Sequence, residues 1–324
     1  MKLTSLATAA LLASTSFAKN ILLTNDDSWA ATNIRALYYE LKNAGHTVLL
    51  SAPAVQMSGQ GGRFVIPSTN VLQQDSIFSY KKAGDPAWGY EESDINIWYF
   101  NGTPAACVAF AFDYILPNYF NNMSIDLVVG GPNEGTNMGA RDYVLSGTIG
   151  SAHYAAERGY PSIAFSGSNS NNSFFEDNLN GDVTTAPYIY AKAATKLINA
   201  LFDAQGDNER VLPFATGLNV NFPVAGSDLG SSCLDVGSFQ STRFSGNSLI
   251  YKIAYDSTTG LVSQTTTSGV GTTDCVNGDC TLASEFTVIG AENCISTISV
   301  FSVDPDAPLA LHEEAQNLFS SVLV

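Results

Sequence analysis

Short apolar runs alternate with amphipathic stretches through the first two thirds of the chain. The run at residues 20–24 predicts a buried strand, and the apolar positions within 34–41 recur with the spacing of one helix face. Similar apolar runs predict further strands at 47–51, 95–100, 126–130, 162–166 and 217–222. Amphipathic stretches predict the other helices at 104–115, 146–158 and 190–201. Strands that alternate with helices in this way indicate an α/β fold, in which a parallel, Rossmann-like sheet is sandwiched by helices.

Two regions depart from this alternation. Residues 56–94 are rich in Gly, Ser and Gln with weak periodicity, which predicts a long excursion from the core. Residues 225–300 are rich in Ser, Thr and Gly with short β-prone runs, so we expect a β-rich C-terminal extension made of hairpins. Residues 306–323 predict a closing helix.

The first 18 residues have the pattern of a secretory signal peptide. Lys2 supplies a positive charge, residues 6–13 form the apolar segment, and Ser16-Phe17-Ala18 offers a small-residue cleavage site. The alternative is a hydrophobic N-terminal strand or anchor. With cleavage after Ala18, residues 19–324 are expected to form one secreted domain. No later run approaches about 18 uninterrupted apolar residues, so a membrane span is not expected.

The glycosylation sequons and the cysteines also fit a secreted protein. Asn122 and Asn171 each begin an Asn-x-Ser sequon, which predicts N-glycosylation. Four cysteines cluster late in the chain and allow three disulfide pairings. The hairpin-turn dipeptide Asn277-Gly278 favours a local Cys275–Cys280 bridge, which leaves Cys233 to pair with Cys294. A zinc site is the alternative, but the spacings do not match one and no His is near.

Composition limits the classes of partner. The chain has 324 residues, of which 45% are hydrophobic and only 14% charged, so most of its length can bury a core and intrinsic disorder is excluded. The formal net charge is −16, and a field of that sign repels the phosphates of duplex DNA or RNA. A small phosphorylated ligand stays compatible with this charge, because one bound cation reverses the sign locally.

Candidate chemistry follows the predicted strands, because ligands of open parallel sheets bind at the carboxyl ends of the strands. Asp26 and Asp27 come directly after the first strand. Adjacent carboxylates repel each other unless a positive charge compensates them, and hard cations such as Mg²⁺, Mn²⁺ or Ca²⁺ prefer carboxylate oxygens. The alternative interpretation is that one of them only caps the following helix.

Two further loops carry polar groups of matching chemistry. Ser58 lies in a glycine-rich loop after the second strand, where a surface turn is the simpler alternative. Asn133 follows the strand at 126–130 and offers an amide oxygen. Ser146-Gly147-Thr148 opens the next helix, whose free N–H groups could seat a phosphate or simply receive the Ser146 cap. Together these groups predict a cation beside an anion site.

Other catalytic classes have weaker support. The sequence has no Gly-x-Ser-x-Gly elbow, which disfavours an α/β-hydrolase with a serine nucleophile. A metal-independent serine hydrolase that uses Ser58 or Ser146 as its nucleophile is one alternative function. A secreted protein that binds phosphate or nucleotide without turnover is the alternative from another class.

The motifs resemble those of the SurE-like (survival protein E) nucleotidases and acid phosphatases. The resemblance is carried by Ile21-Leu22-Leu23-Thr24-Asn25-Asp26-Asp27, Ser58-Gly59, Asn101-Gly102-Thr103-Pro104, the run from Asp126 through Gly130-Gly131-Pro132-Asn133 to Gly139, Ser146-Gly147-Thr148 and Leu218-Asn219-Val220-Asn221-Phe222-Pro223. These motifs occur in family order over about residues 20–223, and the resemblance is thin beyond them.

The resemblance implies a metal-dependent phosphomonoesterase that acts on nucleoside monophosphates and other phosphate esters. It implies one divalent metal ion, and homodimers or larger homo-oligomers. The implied metal ligands are Asp26, Asp27, Ser58 and Asn133, and either Asp is also a candidate proton acceptor. The implied substrate-binding residues are Asn25, Asn137, Ser146, Gly147 and Thr148. One departure is Ser28, which stands where the family usually has Gly.

Overall fold

A ten-stranded sheet forms the centre of the molecule. The computed structural model describes residues 18–244, 246, 249–268, 281–302 and 304–324. In chain order the strands of this sheet and of a separate two-stranded sheet are β1 (Asn20–Thr24), β2 (Thr47–Pro53), β3 (Trp88–Glu91), β4 (Asp94–Phe100), β5 (Leu127–Glu134), β6 (Ser162–Gly167), β7 (Gly217–Asn221), β8 (Ser238–Arg243), β9 (Leu249–Tyr255), β10 (Val262–Ser268), β11 (Ala283–Ser284) and β12 (Ile295–Phe301). Of these, β9 and β10 form the separate two-stranded sheet.

The strand order places a topological switch point beside β1. Across the sheet the order is β11-β8-β12-β7-β6-β5-β1-β2-β4-β3, and the six strands from β7 to β4 are parallel to one another. The chain runs outward from β1 through β2 to β4, and then returns to the other side of β1 with β5. The crevice at the carboxyl ends of β1 and β5 is therefore where a ligand of such a sheet is expected.

Helices cover both faces of the sheet. They are α1 (Thr32–Asn43), α2 (Pro104–Phe110), α3 (Leu116–Tyr119), α4 (Gly139–Leu145), α5 (Gly147–Glu157), α6 (Phe175–Asn178), α7 (Ala186–Gln205), α8 (Glu285–Ile289) and α9 (Leu309–Leu318). Ile21 and Leu23 of β1 pack in one core with α1 and α7, whereas Leu22 packs in a second core with α2 and α5. Because neighbouring residues of a strand point to opposite faces and both faces are covered, the three central residues of this strand are all apolar. The predicted α/β sandwich is confirmed.

The structure differs from the sequence-based expectation in three places. The excursion at 56–94 contains β3, which pairs with β4 as an antiparallel edge strand. The segment before Ser146 forms the additional helix α4. In the described part of the C-terminal region, β9 and β10 form a separate hairpin, whereas β8, β11 and β12 extend the main sheet. Their periodicity is typical of any strand and does not say which sheet they join.

A buried ion pair joins β3 to α1. Arg35 donates from Nη1 and Nη2 to the two carboxylate oxygens of Glu91, at 2.9 Å each. Trp29 Nε1 donates to the same carboxylate at 3.2 Å. Bidentate geometry and burial make this a strong contact, whose loss would leave an uncompensated charge in the core. It fixes the end of the excursion next to the loop that follows β1.

The secretory features are only partly within the described residues. The disulfide Cys233–Cys294 is present, with its Cα atoms 5.5 Å apart, whereas Cys275 and Cys280 lie outside the described residues. The proposed signal peptide, apart from Ala18, also lies outside them. Asn122 and Asn171 are exposed, as a glycosylated Asn must be. Wherever the chain is described, no helix is both long and apolar enough to cross a membrane.

Candidate active site

The loop after β1 buries two adjacent carboxylates at the switch point. Asp26 is 2% exposed and Asp27 is 1% exposed. Asn25 precedes them, and its Oδ1 accepts a hydrogen bond from the Ser28 N–H at 3.1 Å. This Asx-type turn reverses the chain at the end of the strand, so that both carboxylates face the carboxyl edge of the sheet.

Asp26 is held by the first turn of α5. The Thr148 hydroxyl donates to Asp26 Oδ1 at 2.5 Å, and the backbone amides of Gly147 and Thr148 also stabilise this carboxylate. A Cβ atom at Gly147 would lie only 2.9 Å from Asp26 Oδ2, so no other residue fits this close approach. In this structure the donors at the start of α5, where the sequence predicts an anion seat, bind the carboxylate of Asp26, and their binding of a phosphate stays a prediction.

Asp27 is bound by two other loops. Gln56 Nε2 donates to Asp27 Oδ1 at 2.8 Å, and the backbone N–H of Glu134 donates to Asp27 Oδ2 at 2.8 Å. The loops after β2 and β5 therefore meet at this carboxylate. Neither Gln56 nor Glu134 was singled out by sequence patterns, although both lie within the loops that carry the predicted site.

Asn133 faces the same point. It is 7% exposed, its Nδ2 donates to the Gly135 carbonyl at 2.7 Å, and its Oδ1 lies 3.3 Å from the Thr148 hydroxyl oxygen. The ladder between β5 and β6 shifts register between Gly130 and Asn133, a bulge that re-aims the side chains that follow it. One hydroxyl thus lies within hydrogen-bond reach of both Asp26 and Asn133.

Ser58 lies near this cluster but has no recorded contact with the carboxylates. Ser58 is exposed, and its backbone N–H donates to Gln56 Oε1 at 2.6 Å. Gln56 in turn binds Asp27, while the neighbouring Met57 N–H donates to the Asp26 carbonyl at 2.7 Å. The structure brings the loop that contains Ser58 to Asp26 and Asp27. The role of the Ser58 hydroxyl as a metal ligand stays a prediction.

The residues predicted to bind substrate occupy three positions around the cluster. Asn137 is mostly buried and donates through Nδ2 to Ser166 Oγ at 2.9 Å. Ser146 caps α5, since its Oγ accepts from the Ile149 N–H at 3.2 Å. Asn25 is fully buried, and its Nδ2 has no hydrogen-bond partner among the described residues. Their contacts with a substrate stay predictions.

Burial and the proximity of like charges determine the pKa values of Asp26 and Asp27. Desolvation raises the pKa of Asp26, and desolvation together with the charge of Asp26 raises the pKa of Asp27 well above its ordinary value. Burial also raises the pKa of Glu134 to about 7. No Lys or Arg is among the hydrogen-bond partners that the described part of the chain gives Asp26 and Asp27. Two ionised carboxylates here therefore need a cation from outside the chain.

The donor set fits a hard divalent cation. Carboxylate, amide and hydroxyl oxygens are the groups that Mg²⁺, Mn²⁺ and Ca²⁺ select. Within residues 18–324, so far as they are described, no three His, Cys, Asp or Glu side chains are grouped to hold a metal. Such a site would therefore have to combine the two carboxylates with neutral oxygens, and the amide oxygen of Asn133 is one that lies close to them.

Ser28 has a backbone conformation that favours glycine. Its φ is +122°, and its Oγ accepts a hydrogen bond from the Ala30 N–H at 3.2 Å. A non-glycine residue in this region is strained, and such strain persists only where surrounding contacts impose it. This conformation suits the Gly that the resemblance implies at this position, and Ser28 adopts it despite its side chain.

Comparisons with known proteins show the family of the chain. The sequence profile of the family described as Survival protein SurE matches residues 21–248. The chain is 44% identical over 299 residues to a protein of Yarrowia lipolytica (strain CLIB 122 / E 150) named acid phosphatase, covering 92% of this chain and 83% of that protein. It is 34% identical over 209 residues to a protein of Desulfovibrio desulfuricans (strain ATCC 27774 / DSM 6949 / MB) named 5'-nucleotidase SurE, covering 64% of this chain and 68% of that one.

A solved structure shows the same fold. The crystal structure of the SurE protein from Aquifex aeolicus superposes with a TM-score of 0.60 at 21% identity, covering 92% of this chain and 99% of that one. The names of the two sequence relatives both denote phosphoric monoester hydrolases, which confirms the expected enzyme class. The resemblance seen in the motifs is therefore confirmed, and the chain belongs to the SurE family.

Proposed function

We propose that this protein is a metal-dependent phosphomonoesterase that hydrolyses nucleoside monophosphates and other small phosphate esters. The observation that carries the proposal is the burial of Asp26 and Asp27 side by side, with Asn133 beside them, at the switch point of the sheet. The names of the relatives support phosphate esters as the substrate class.

One divalent ion, Mg²⁺, Mn²⁺ or Ca²⁺, would be held by Asp26, Asp27, Asn133 and Ser58. When bound, it would neutralise the carboxylates, polarise a phosphoryl oxygen and lower the pKa of a water molecule. With few anionic ligands around it, the site would keep positive charge for a phosphate.

The chain itself contributes orientation and proton transfer. Thr148 holds Asp26 through its hydroxyl, and Gln56 and the Glu134 amide hold Asp27, so neither carboxylate is free to rotate. Either Asp would accept the proton of a water that attacks phosphorus in line with the leaving oxygen. Donors at Asn137, Ser146, Gly147 and Thr148 would stabilise the charge that develops on the phosphoryl oxygens.

The wider setting is also a proposal. We infer secretion through the signal peptide at residues 1–18, with glycans on the exposed Asn122 and Asn171. Enzymatic removal of N-glycans from protein secreted by a eukaryotic host should reduce its apparent mass, and Asn122→Gln with Asn171→Gln should remove that shift. We also propose a homo-oligomer, which light scattering of the purified protein would test.

A phosphate-release assay tests the proposed activity. Nucleoside monophosphates, sugar phosphates and an aryl phosphate are each incubated with EDTA-treated protein, with and without Mg²⁺, Mn²⁺ or Ca²⁺. We expect release only with metal. Release that persists in EDTA would favour a serine hydrolase instead, and ligand binding without any release would favour a binding protein.

A further inference from the structure

The segment between Asn133 and α5 carries one predicted substrate-binding residue, Asn137, and leads into three others, so it needs an anchor. It runs over residues 135–145, includes Asn137 and α4, and leads directly into Ser146-Gly147-Thr148. A loop that holds a substrate must be fixed to a fraction of an ångström, because small displacements of binding groups cost large factors in rate. The contacts beneath this segment show what fixes it.

Two asparagines of β7 bind the backbone of Asn137. The Asn137 N–H donates to Asn221 Oδ1 at 2.8 Å, and the Asn137 carbonyl accepts from Asn219 Nδ2 at 2.9 Å and from Asn221 Nδ2 at 3.0 Å. Asn219 and Asn221 are both fully buried. Alternate residues of this strand thus present amides to the N–H and the carbonyl of the same residue, which fixes the backbone of Asn137.

Glu285 completes this network from the C-terminal region. Its side chain is 0% exposed, Oε2 accepts from the Gly139 N–H at 2.9 Å, and Oε1 accepts from Asn219 Nδ2 at 2.8 Å. One carboxylate therefore contacts both the first residue of α4 and the asparagine that holds Asn137. Hydrogen bonds to satisfied buried groups make a polar network rigid, and here Glu285 supplies acceptors for the Gly139 N–H and for Asn219 Nδ2, while Asn219 Oδ1 has no partner among the described residues.

A second contact from the same region holds the far end of α4. The Tyr143 hydroxyl donates to the Ser302 carbonyl at 3.1 Å, and the Tyr143 ring packs edge-on against Phe244 and Phe301. Glu285, Phe301 and Ser302 lie beyond residue 248, where the match to the family profile ends. The part of the chain with the thinnest resemblance thus supports a segment of the predicted active site.

We propose that Glu285 is a positioning residue for the substrate-binding segment 135–145. It acts through Gly139 and Asn219 and does not itself touch substrate. The inference rests on the proposed phosphomonoesterase activity for its kinetic consequence, but not for its structural one. Replacement by Ala would leave the Gly139 N–H without this acceptor and would release Asn219 from one of its two partners, so the backbone of Asn137 would lose part of its support.

The test compares Glu285→Ala with Glu285→Gln and with the control Val288→Ala. Val288 is a buried apolar residue of the same short helix α8, so its truncation weakens the packing of that helix without removing the Glu285 carboxylate. Gln keeps the shape and one acceptor oxygen. Two readouts are taken on each full-length variant: kcat and KM with an aryl phosphate at saturating Mg²⁺, and hydrogen exchange of peptides that cover residues 135–145.

We expect kcat/KM of Glu285→Ala to fall by about 10- to 100-fold, mainly through KM, with exchange in 135–145 at least about tenfold faster. Glu285→Gln should lie between Ala and wild type, and Val288→Ala should stay within about twofold of wild type in both readouts. If Glu285→Ala does not fold, the same comparison of Glu285→Gln with Val288→Ala decides the question.

Equal losses in the Glu285 and Val288 variants would overturn the proposal, because they would show a merely structural role. Faster exchange without a change in KM would overturn it as well. If the wild-type protein releases no phosphate, the proposed function fails, and the exchange measurement alone then decides whether Glu285 holds the segment. Unchanged exchange in Glu285→Ala would overturn the inference in either case.

Discussion

The Thr148 hydroxyl donates to Asp26 at 2.5 Å and lies 3.3 Å from Asn133 Oδ1, so one side chain links the loop after β1, the end of β5 and the start of α5. A short hydrogen bond to a carboxylate is strong and fixes its orientation. The same hydroxyl thus orders two of the oxygens that we assign to the metal site.

Removal of the Thr148 hydroxyl should weaken metal binding without abolishing it. We expect Thr148→Val to lower the affinity for Mn²⁺ or the activity by about 10- to 100-fold, as is common when a group that orients a metal ligand is removed. Thr148→Ser keeps the hydroxyl and should stay close to wild type. Calorimetric titration with Mn²⁺ and initial-rate kinetics measure both effects. Equal behaviour of the Val and Ser variants would show that the hydrogen bond is unimportant.

The carboxylate itself should be essential for turnover and unfavourable for stability. Asp26→Asn should reduce kcat by about 10²- to 10³-fold or more, since a preorganised charge is lost at the reacting centre. The same change removes one of two buried like charges, so the Tm of the metal-free protein should not fall and is expected to rise. Asp113→Asn, in an exposed pair with Arg158, is the control and should alter neither value. Metal-dependent activity retained in Asp26→Asn would disprove the role of Asp26.

The strain at Ser28 can be measured with a pair of substitutions. Ser28→Ala and Ser28→Gly both remove the Oγ contact with Ala30, but only Gly relieves the positive φ. Strain of about 1–3 kcal/mol, less the extra flexibility of Gly in the unfolded chain, leaves the Gly variant more stable by about 1 kcal/mol. Chemical denaturation monitored by tryptophan fluorescence would give the difference. A more stable Ala variant would show that the backbone there is unstrained.

Stability of the metal-free protein should decline as the pH rises. Burial raises the pKa of Glu285 from an ordinary 4.5 to about 8, so the folded state retains a proton that the unfolded state releases. The resulting stabilisation is fully present below about pH 4.5 and is lost as the pH rises through 8. The raised pKa values of Asp26 and Asp27 act in the same direction.

Thermal melts in EDTA between pH 5 and pH 8 check this dependence. We expect Tm to fall over that range, the slope to flatten in Glu285→Gln, and added Mg²⁺ to restore stability most strongly at pH 8, where the carboxylates are ionised. A Tm that rises with pH in EDTA would contradict the assigned pKa directions.

The sequence predicted the parallel sheet because its strands are apolar on both faces and alternate with clear helical patterns. It also predicted that Asp26 and Asp27 lie with Asn133, since residues that follow parallel strands meet at one edge. Neither inference needed distances, because topology alone brings these positions together.

Other features depend on tertiary contacts that no local pattern encodes. Gln56 and Glu285 are ordinary polar residues in the sequence, and they gain a role only because the fold brings them to Asp27 and Gly139. The strands of the C-terminal region have the periodicity of any hairpin, so the pairing of β12 with β7 could not be foreseen. The helix α4 was missed because it has only seven residues, with Gly139 at its start.

The most direct test of the metal site is a crystal structure of the protein soaked in MnCl₂, with data collected for the anomalous signal of manganese. We expect one anomalous peak at about 2.0–2.6 Å from an oxygen of each of Asp26, Asp27 and Asn133, with Ser58 or a water molecule completing the ligands. No peak at this position in crystals of active protein, or a peak bound only by other residues, would contradict the account.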